Sequence, residues 1–365
     1  MASILKKRNN DSSLVGLEIE AGSIGAAEVR TNGSTQLAAS ASIAIPPEAF
    51  RDGEVRDPEA VAAALGSLFA ENKLGRRVRL GIANQRVVVR TLRLPAIEDP
   101  AELDSAVRFT AQEQIAMPLE QAVIDHRVVG GAPAAEGAPP QIDVIVVAAR
   151  RDMIAASLKP LRDAGLEPVG VDLSAFAMIR ALAGETGPDV DEATTAESLA
   201  ARGAVLYCNV GDVSNLAVAR GNSCLFTRVS PVGLDDIAES LSARSQLSPE
   251  HALMWLQHVG LSQPPEAIEG DPEVVAAARS ALETGAAALV DELRLSLDFY
   301  AAQEAALSVE RIVLCGPGGT IPGLAETMAP ALGMPLEVGL PAALANLDPA
   351  TAARLTLPYG LALDR

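Results

Sequence analysis

The sequence predicts an α/β protein of two similar lobes, with a small α/β unit inserted into the first, and three observations predict it. A strand-turn-strand-turn-strand pattern spans residues 204–229. An apolar, β-branched run at 205–210 leads into a small polar turn at 211–215, and a second apolar run at 216–219 follows. A Gly221-Asn222 turn then opens a third run at 224–229. The same layout occupies residues 14–45: strands at 15–19, 26–29 and 36–45, with a polar turn at 20–25 and an Asn32-Gly33 hairpin turn. Two copies half a chain apart are too widely spaced for a solenoid and suit two facing lobes. The third observation is a helix-strand-strand-helix pattern over 97–164 that interrupts the first copy.

Taken in order, residues 1–13 carry Lys6, Lys7 and Arg8 before a polar stretch and read as a flexible leader. The first lobe is expected over 14–203. Asp57-Pro58 caps a helix whose Val61, Ala64, Leu65 and Leu68 recur at helical spacing, and two strands follow over 77–94, stopped by Pro95. The inserted unit, expected at about 96–168, begins with a helix from Asp99-Pro100 that Met117-Pro118 ends. It continues with strands at 122–129 and 142–149 around a Gly/Ala/Pro loop at 130–140, and a helix at 152–164 stopped by Gly165. A strand at 169–171 and a helix at 174–183 return the chain to the lobe, and the acidic stretch 185–202 reads as a hinge. The second lobe, 204–365, carries a helical-rich part at about 234–309. It ends in a long helix, from 273 to about 302, whose Leu289, Leu293, Leu297 and Tyr300 face suits a core. An apolar strand at 311–314 then runs into Gly316-Pro317-Gly318-Gly319.

With 49% hydrophobic and 21% charged residues the chain is globular, and a net charge of −18 leaves no basic stripe for a nucleic acid. No apolar run approaches the roughly 18 residues that span a bilayer, and no secretory signal pattern opens the chain; the expected place is the cytoplasm. Cys208, Cys224 and Cys315 lie in apolar runs without metal-ligand spacing and read as small core residues. His251 and His258 share a helix face, and no metal site is expected.

The turns carry the chemistry. Backbone N–H groups of the first turn of each copy can cradle a phosphate, and two such turns on facing lobes can hold one nucleotide; alternatively each is a tight hairpin with nothing bound. The candidates on this reading are Ser23 in the first copy, Gly211, Asp212 and Ser214 in the second, and Gly316, Gly318 and Gly319 in the later loop; Glu18 and Asn209 join them through the resemblance given below. That later loop lets backbone approach a ligand, or makes a strand-to-helix turn.

An ordered set of short matches then carries a resemblance. It includes Val15-Gly16-Leu17-Glu18-Ile19, Leu92-Arg93-Leu94-Pro95, the run 113–120 from Glu113 to Glu120, Ala164-Gly165-Leu166-Glu167-Pro168, Phe226-Thr227-Arg228 and Tyr359-Gly360-Leu361-Ala362-Leu363. Together they resemble the type IV pilus assembly protein PilM family, relatives of the cell-division protein FtsA, nearly end to end. The resemblance implies an actin-like (ribonuclease H-like) fold and a scaffold held at the inner membrane by gripping an N-terminal peptide of the membrane protein PilN. The peptide would lie against residues 77–95 and 97–149. Ile115, Met117, Pro118 and Leu119, where a proline releases the chain from a helix, are its expected groove; packing of the insertion onto the lobe is the other reading of the same residues.

The resemblance also implies ATP with Mg2+, and here the residues depart from it. The family's Asp-Ile-Gly reads Glu18-Ile19-Glu20 in the first turn, with Gly25 at a lysine position, and Asn209-Val210-Gly211 followed by Asp212 in the second. Carboxylates stand where phosphate oxygens belong, so a degenerate pocket and a binding role without catalysis are expected. The competing expectations are an actin-like ATPase or phosphotransferase, and a filament former; the last calls for a basic amphipathic C-terminal helix, where this chain reads Leu363-Asp364-Arg365.

Overall fold

A computed structural model describes residues 12–31, 34–132, 140–183, 203–303 and 306–363. The leader up to residue 11, the Asn32-Gly33 turn, most of the Gly/Ala/Pro loop, the hinge at 185–202 and the last two residues fall outside the described residues.

The chain begins with β1 (Ser12–Glu20), β2 (Ser23–Thr31), β3 (Thr35–Ala44), the short pair β4 (Phe50–Arg51) and β5 (Glu54–Val55), α1 (Pro58–Asn72) and β6 (Arg77–Ile82). There follow β7 (Val88–Pro95), α2 (Pro100–Gln114), β8 (Ala122–Ala132), β9 (Gln141–Arg150), α3 (Arg151–Asp163), β10 (Glu167–Leu173) and α4 (Ser174–Leu182). The second half holds β11 (Ala204–Val210), β12 (Ser214–Arg220), β13 (Ser223–Ser230), α5 (Leu234–Ser245), α6 (Pro249–Val259) and α7 (Pro272–Ala301). It closes with β14 (Val309–Cys315), α8 (Leu324–Leu332), β15 (Leu336–Val338) and α9 (Pro349–Ala362). Five helices start the same way: Asp57, Asp99, Ser248, Asp271 or Asp348 accepts amide N–H bonds of the first turn through its side chain, and a proline follows. That proline gives up an N–H which would have had no partner, and its φ is already helical.

Two five-stranded sheets result, in the orders β10-β6-β1-β2-β3 and β15-β14-β11-β12-β13. In each an antiparallel meander is extended by two parallel strands, so the duplication read from the hairpins extends to the whole sheet. Strand alternation then separates two layers. In β11 Leu206, Cys208 and Val210 face a core shared with α5, α6, α7 and α8, so the helical part is continuous with the second lobe. Tyr207, with Val313 and Cys315 of β14, faces the opposite way, into a core that includes α4 and α9. Val15, Leu17 and Ile19 of β1 face α1 and α3. α9 lies against β1, β2 and α4, and Gly16 makes this possible: a Cβ there would collide with the Pro358 carbonyl.

The boundaries of the insertion differ from the expected 96–168. β7 pairs along its length with β9, not with the first-lobe sheet, giving a three-stranded sheet β7-β9-β8 with α2 and its own core of Leu92, Leu94, Val107, Ala111, Val144 and Val146. At the other end α3 packs on α1 and buries Leu161 in the first-lobe core. The unit therefore runs over about 88–150. Pro95 is the last residue of a strand, not the border between units, because strand pairing is decided by partners distant in sequence.

Candidate functional site

The first turns of the two meanders meet across the cleft between the lobes. The Ala21 N–H donates to Asp212 Oδ2 (2.9 Å), and the Asp212 carboxylate also accepts from the Val213 N–H through Oδ1 (2.8 Å). Reciprocally, Glu20 Oε1 lies against Gly211, so close that a Cβ on that glycine would crowd it. The Gly211 carbonyl accepts the Leu234 N–H (2.8 Å), which fixes the start of α5 to the second turn. Arg51 of the β4–β5 hairpin pairs with Glu239 of α5 at the rim.

Behind the turns, the buried Glu18 accepts from Ser174 Oγ (2.6 Å) through Oε1, while its Oε2 has no hydrogen-bond partner. Burial, and to a lesser degree the charge of Asp212, pushes its carboxyl from 4.5 up to about 8 against the Ser174 bond. Burial likewise raises Glu20, with Asp212 and Glu18 adding to it, and raises Asp212 against the two amide bonds it accepts. Asp235 at the start of α5 is pushed up to about 7, first by burial and then by Asp212. Ser214 Oγ and both side-chain amide atoms of Asn215 are buried without partners beside this group.

Of the residues expected to hold a nucleotide, Glu18, Asn209 and Asp212 line the cleft and Gly211 adjoins it; Ser23 stands opposite Glu20 in the β1–β2 ladder, outside the lining. The glycine loop serves packing. Gly316 takes φ 77° and sits where a Cβ would strike the Asn209 side chain, and Gly318 does the same against Val210. None of Gly316, Gly318 and Gly319 lines the cleft. The space left measures about 10 Å³, room for one water. In this arrangement the Ala21 amide of the first turn is taken by Asp212, and the walls carry Glu18, Glu20 and Asp212. Sequence reasoning missed the Ala21 amide, Asp235, and the β4–β5 hairpin whose Phe50 and Gly53 close the cleft. Asp52-Gly53, both at positive φ, was the available hairpin signal.

A larger cavity, about 620 Å³, lies between the inserted sheet and the first lobe. β8 and β9 form one wall with Val123, Val128, Ile145 and Val147, and α4 the other with Phe176 and Ile179. A half-buried Arg180, paired with the buried Asp172 (2.8 Å), stands at its edge, and the turn at Asn222–Cys224 of the second lobe completes it. The expected groove is elsewhere. Ile115 is buried in the insertion's own core, Met117 packs partly against that core, and Pro118 and Leu119 open a short turn before β8; none of the four lines the cavity. Ile115 and, in part, Met117 thus seat α2 on its sheet.

The sequence matches the family described as type IV pilus assembly protein PilM over residues 16–358. The chain belongs to the PilM family. Among solved structures it is similar to a PilM-PilN type IV pilus biogenesis complex, with 28% identity and a TM-score of 0.75, covering 96% of this chain and 97% of that one. It is also similar, in fold alone, to the ethanolamine utilization protein EutJ from Carboxydothermus hydrogenoformans, with 15% identity, a TM-score of 0.51, and coverage of 96% and 89%. The fold is actin-like, as the PilM resemblance implied. Among the described residues of this PilM-family chain no helix is long and apolar enough to cross a membrane, and no cluster of three or more His, Cys, Asp or Glu side chains is placed to hold a metal ion.

Proposed function

We propose that this chain is a scaffold of type IV pilus assembly that grips an extended N-terminal segment of a PilN-type inner-membrane protein, and that it acts by binding, with no chemical step. The 620 Å³ cavity carries this reading. Its two walls mix apolar side chains with Asp125, His126 and Arg127 of β8 and the Arg180–Asp172 pair, and come from a unit with its own core and from the first lobe, which suits an extended segment with side chains anchored on both sides. Among the described residues β8 lies at the edge of the inserted sheet, so the segment can add to that sheet as a further strand. The membrane association of the chain then comes from its partner. The acidic, filled cleft between the lobes supports a degenerate nucleotide pocket.

Calorimetric titration of the PilN N-terminal peptide tests the location. Val128 lines the cavity yet is 43% exposed, so Val128→Asp leaves folding intact and should weaken the peptide by about 2 kcal/mol, roughly 30-fold. Met117→Asp, at the turn first expected to form the groove, should leave affinity within about threefold in whatever fraction folds. The reverse pattern returns the docking site to 115–119.

A further inference from the structure

We infer that the two meander turns form a built-in latch that holds the lobes closed with no nucleotide, the Asp212 carboxylate occupying the amide that an anion would otherwise take. The contact is reciprocal: the acid of the second turn accepts the Ala21 N–H of the first, and Glu20 of the first lies over Gly211 of the second. A backbone amide at a tight turn is an anion site, and a carboxylate is the anion that a chain's own side chains ordinarily supply at neutral pH. Both halves come from strands that start the two sheets, so the contact acts directly between the lobes and not through surface loops. The latch rests on the reading above of a degenerate nucleotide pocket.

The surroundings make this latch sensitive to protons. Glu18 and Glu20 on β1 face it, with Asp52 and Arg51 on the β4–β5 hairpin, Asp235, Asp236 and Glu239 on α5, and Arg354 on α9. Acids outnumber cations in this set. Burial raises Glu18, Glu20 and Asp235, so the closed form holds protons that an opened, hydrated cleft would release. Closure is therefore firmest at acidic pH and weakens as pH rises through about 7 and about 8, where Asp235 and Glu18 ionise.

Hydrogen exchange of the full chain, read at the Ala21 amide and expressed as protection relative to an unstructured peptide, tests the latch. Asp212→Ala should lower protection roughly tenfold or more, and Asp212→Asn, whose side-chain carbonyl still accepts, should retain most of it. In the unmodified protein, protection should fall between about pH 6 and about pH 9, a series that needs no variant to fold. Unchanged protection in Asp212→Ala, a flat pH series, or a rise in protection on adding Mg-ATP would each overturn the latch. Peptide titration on the same samples separates the readings: failure of the unmodified chain to bind peptide refutes the docking role and leaves the exchange result standing.

Discussion

At the scale of single residues, the acids of the cleft set the behaviour. Glu18 keeps one oxygen on Ser174 and the other without a partner, an arrangement tolerable when the group is protonated and costly when it is charged. Its carboxyl, raised from 4.5 to about 8, binds a proton in the folded chain that the unfolded chain lacks at neutral pH. The stabilisation is complete below about pH 4.5, shrinks as pH rises and is lost through about pH 8. Glu18→Gln mimics the protonated form. It should be near neutral at about pH 4 and more stable than the parent at about pH 9, by on the order of 5 kcal/mol in urea denaturation. A Gln variant equally destabilised at both pH values would show that Glu18 is ionised throughout. The residue types here were legible as acids out of place for a phosphate. Their partnership was not, because Ala21 and Asp212 lie 191 positions apart and the donor is a backbone group with no sequence signature.

At the scale of elements, the terminal helix is the piece the sequence concealed. α9 carries Pro358 inside it and is buried along most of its length, so it shows neither the uninterrupted run nor the one-sided stripe that marks a surface helix. Arg79 of β6 donates to the Leu361 and Leu363 carbonyls (2.8 and 2.7 Å), a cation on the last turn of that helix and a tie between first-lobe sheet and C-terminus. Arg79→Met should cost about 2 kcal/mol of stability in urea, since two carbonyls lose a charged donor. A loss near zero would show that water replaces the guanidinium. α2 shows the opposite case: its Asp99-Pro100 start and its stop before Pro118 are local signals, read correctly in position. What the stop does, packing Ile115 inward, depended on the sheet beneath it.

At the scale of the whole molecule, a nucleotide-driven machine needs a cleft that opens to phosphate and closes upon it. Here the lobes meet through their own turns around about 10 Å³. Phosphate-release assays with Mg-ATP should give turnover indistinguishable from a blank, and Glu20→Gly, which vacates the space over Gly211, should improve nucleotide binding if the lobes still close. Sustained magnesium-dependent hydrolysis by the unmodified chain would establish an enzyme.

By itself the sequence determined the duplication, the presence of an inserted α/β unit, the capped helix starts at Asp57-Pro58 and Asp99-Pro100, and the family. These rest on short-range patterns: strand alternation, turn dipeptides, caps and ordered motifs, each complete within a few residues. Only the tertiary structure decided that β7 belongs to the insertion and α3 to the lobe, that the glycine loop packs on Asn209 and Val210, that the cavity lies between β8, β9 and α4, and that Asp212 closes on Ala21. Each of those is a choice among partners far apart in the chain. Such choices are made by how much apolar surface each pairing buries and by which buried polar groups it satisfies, quantities that exist only once the two lobes are folded against one another.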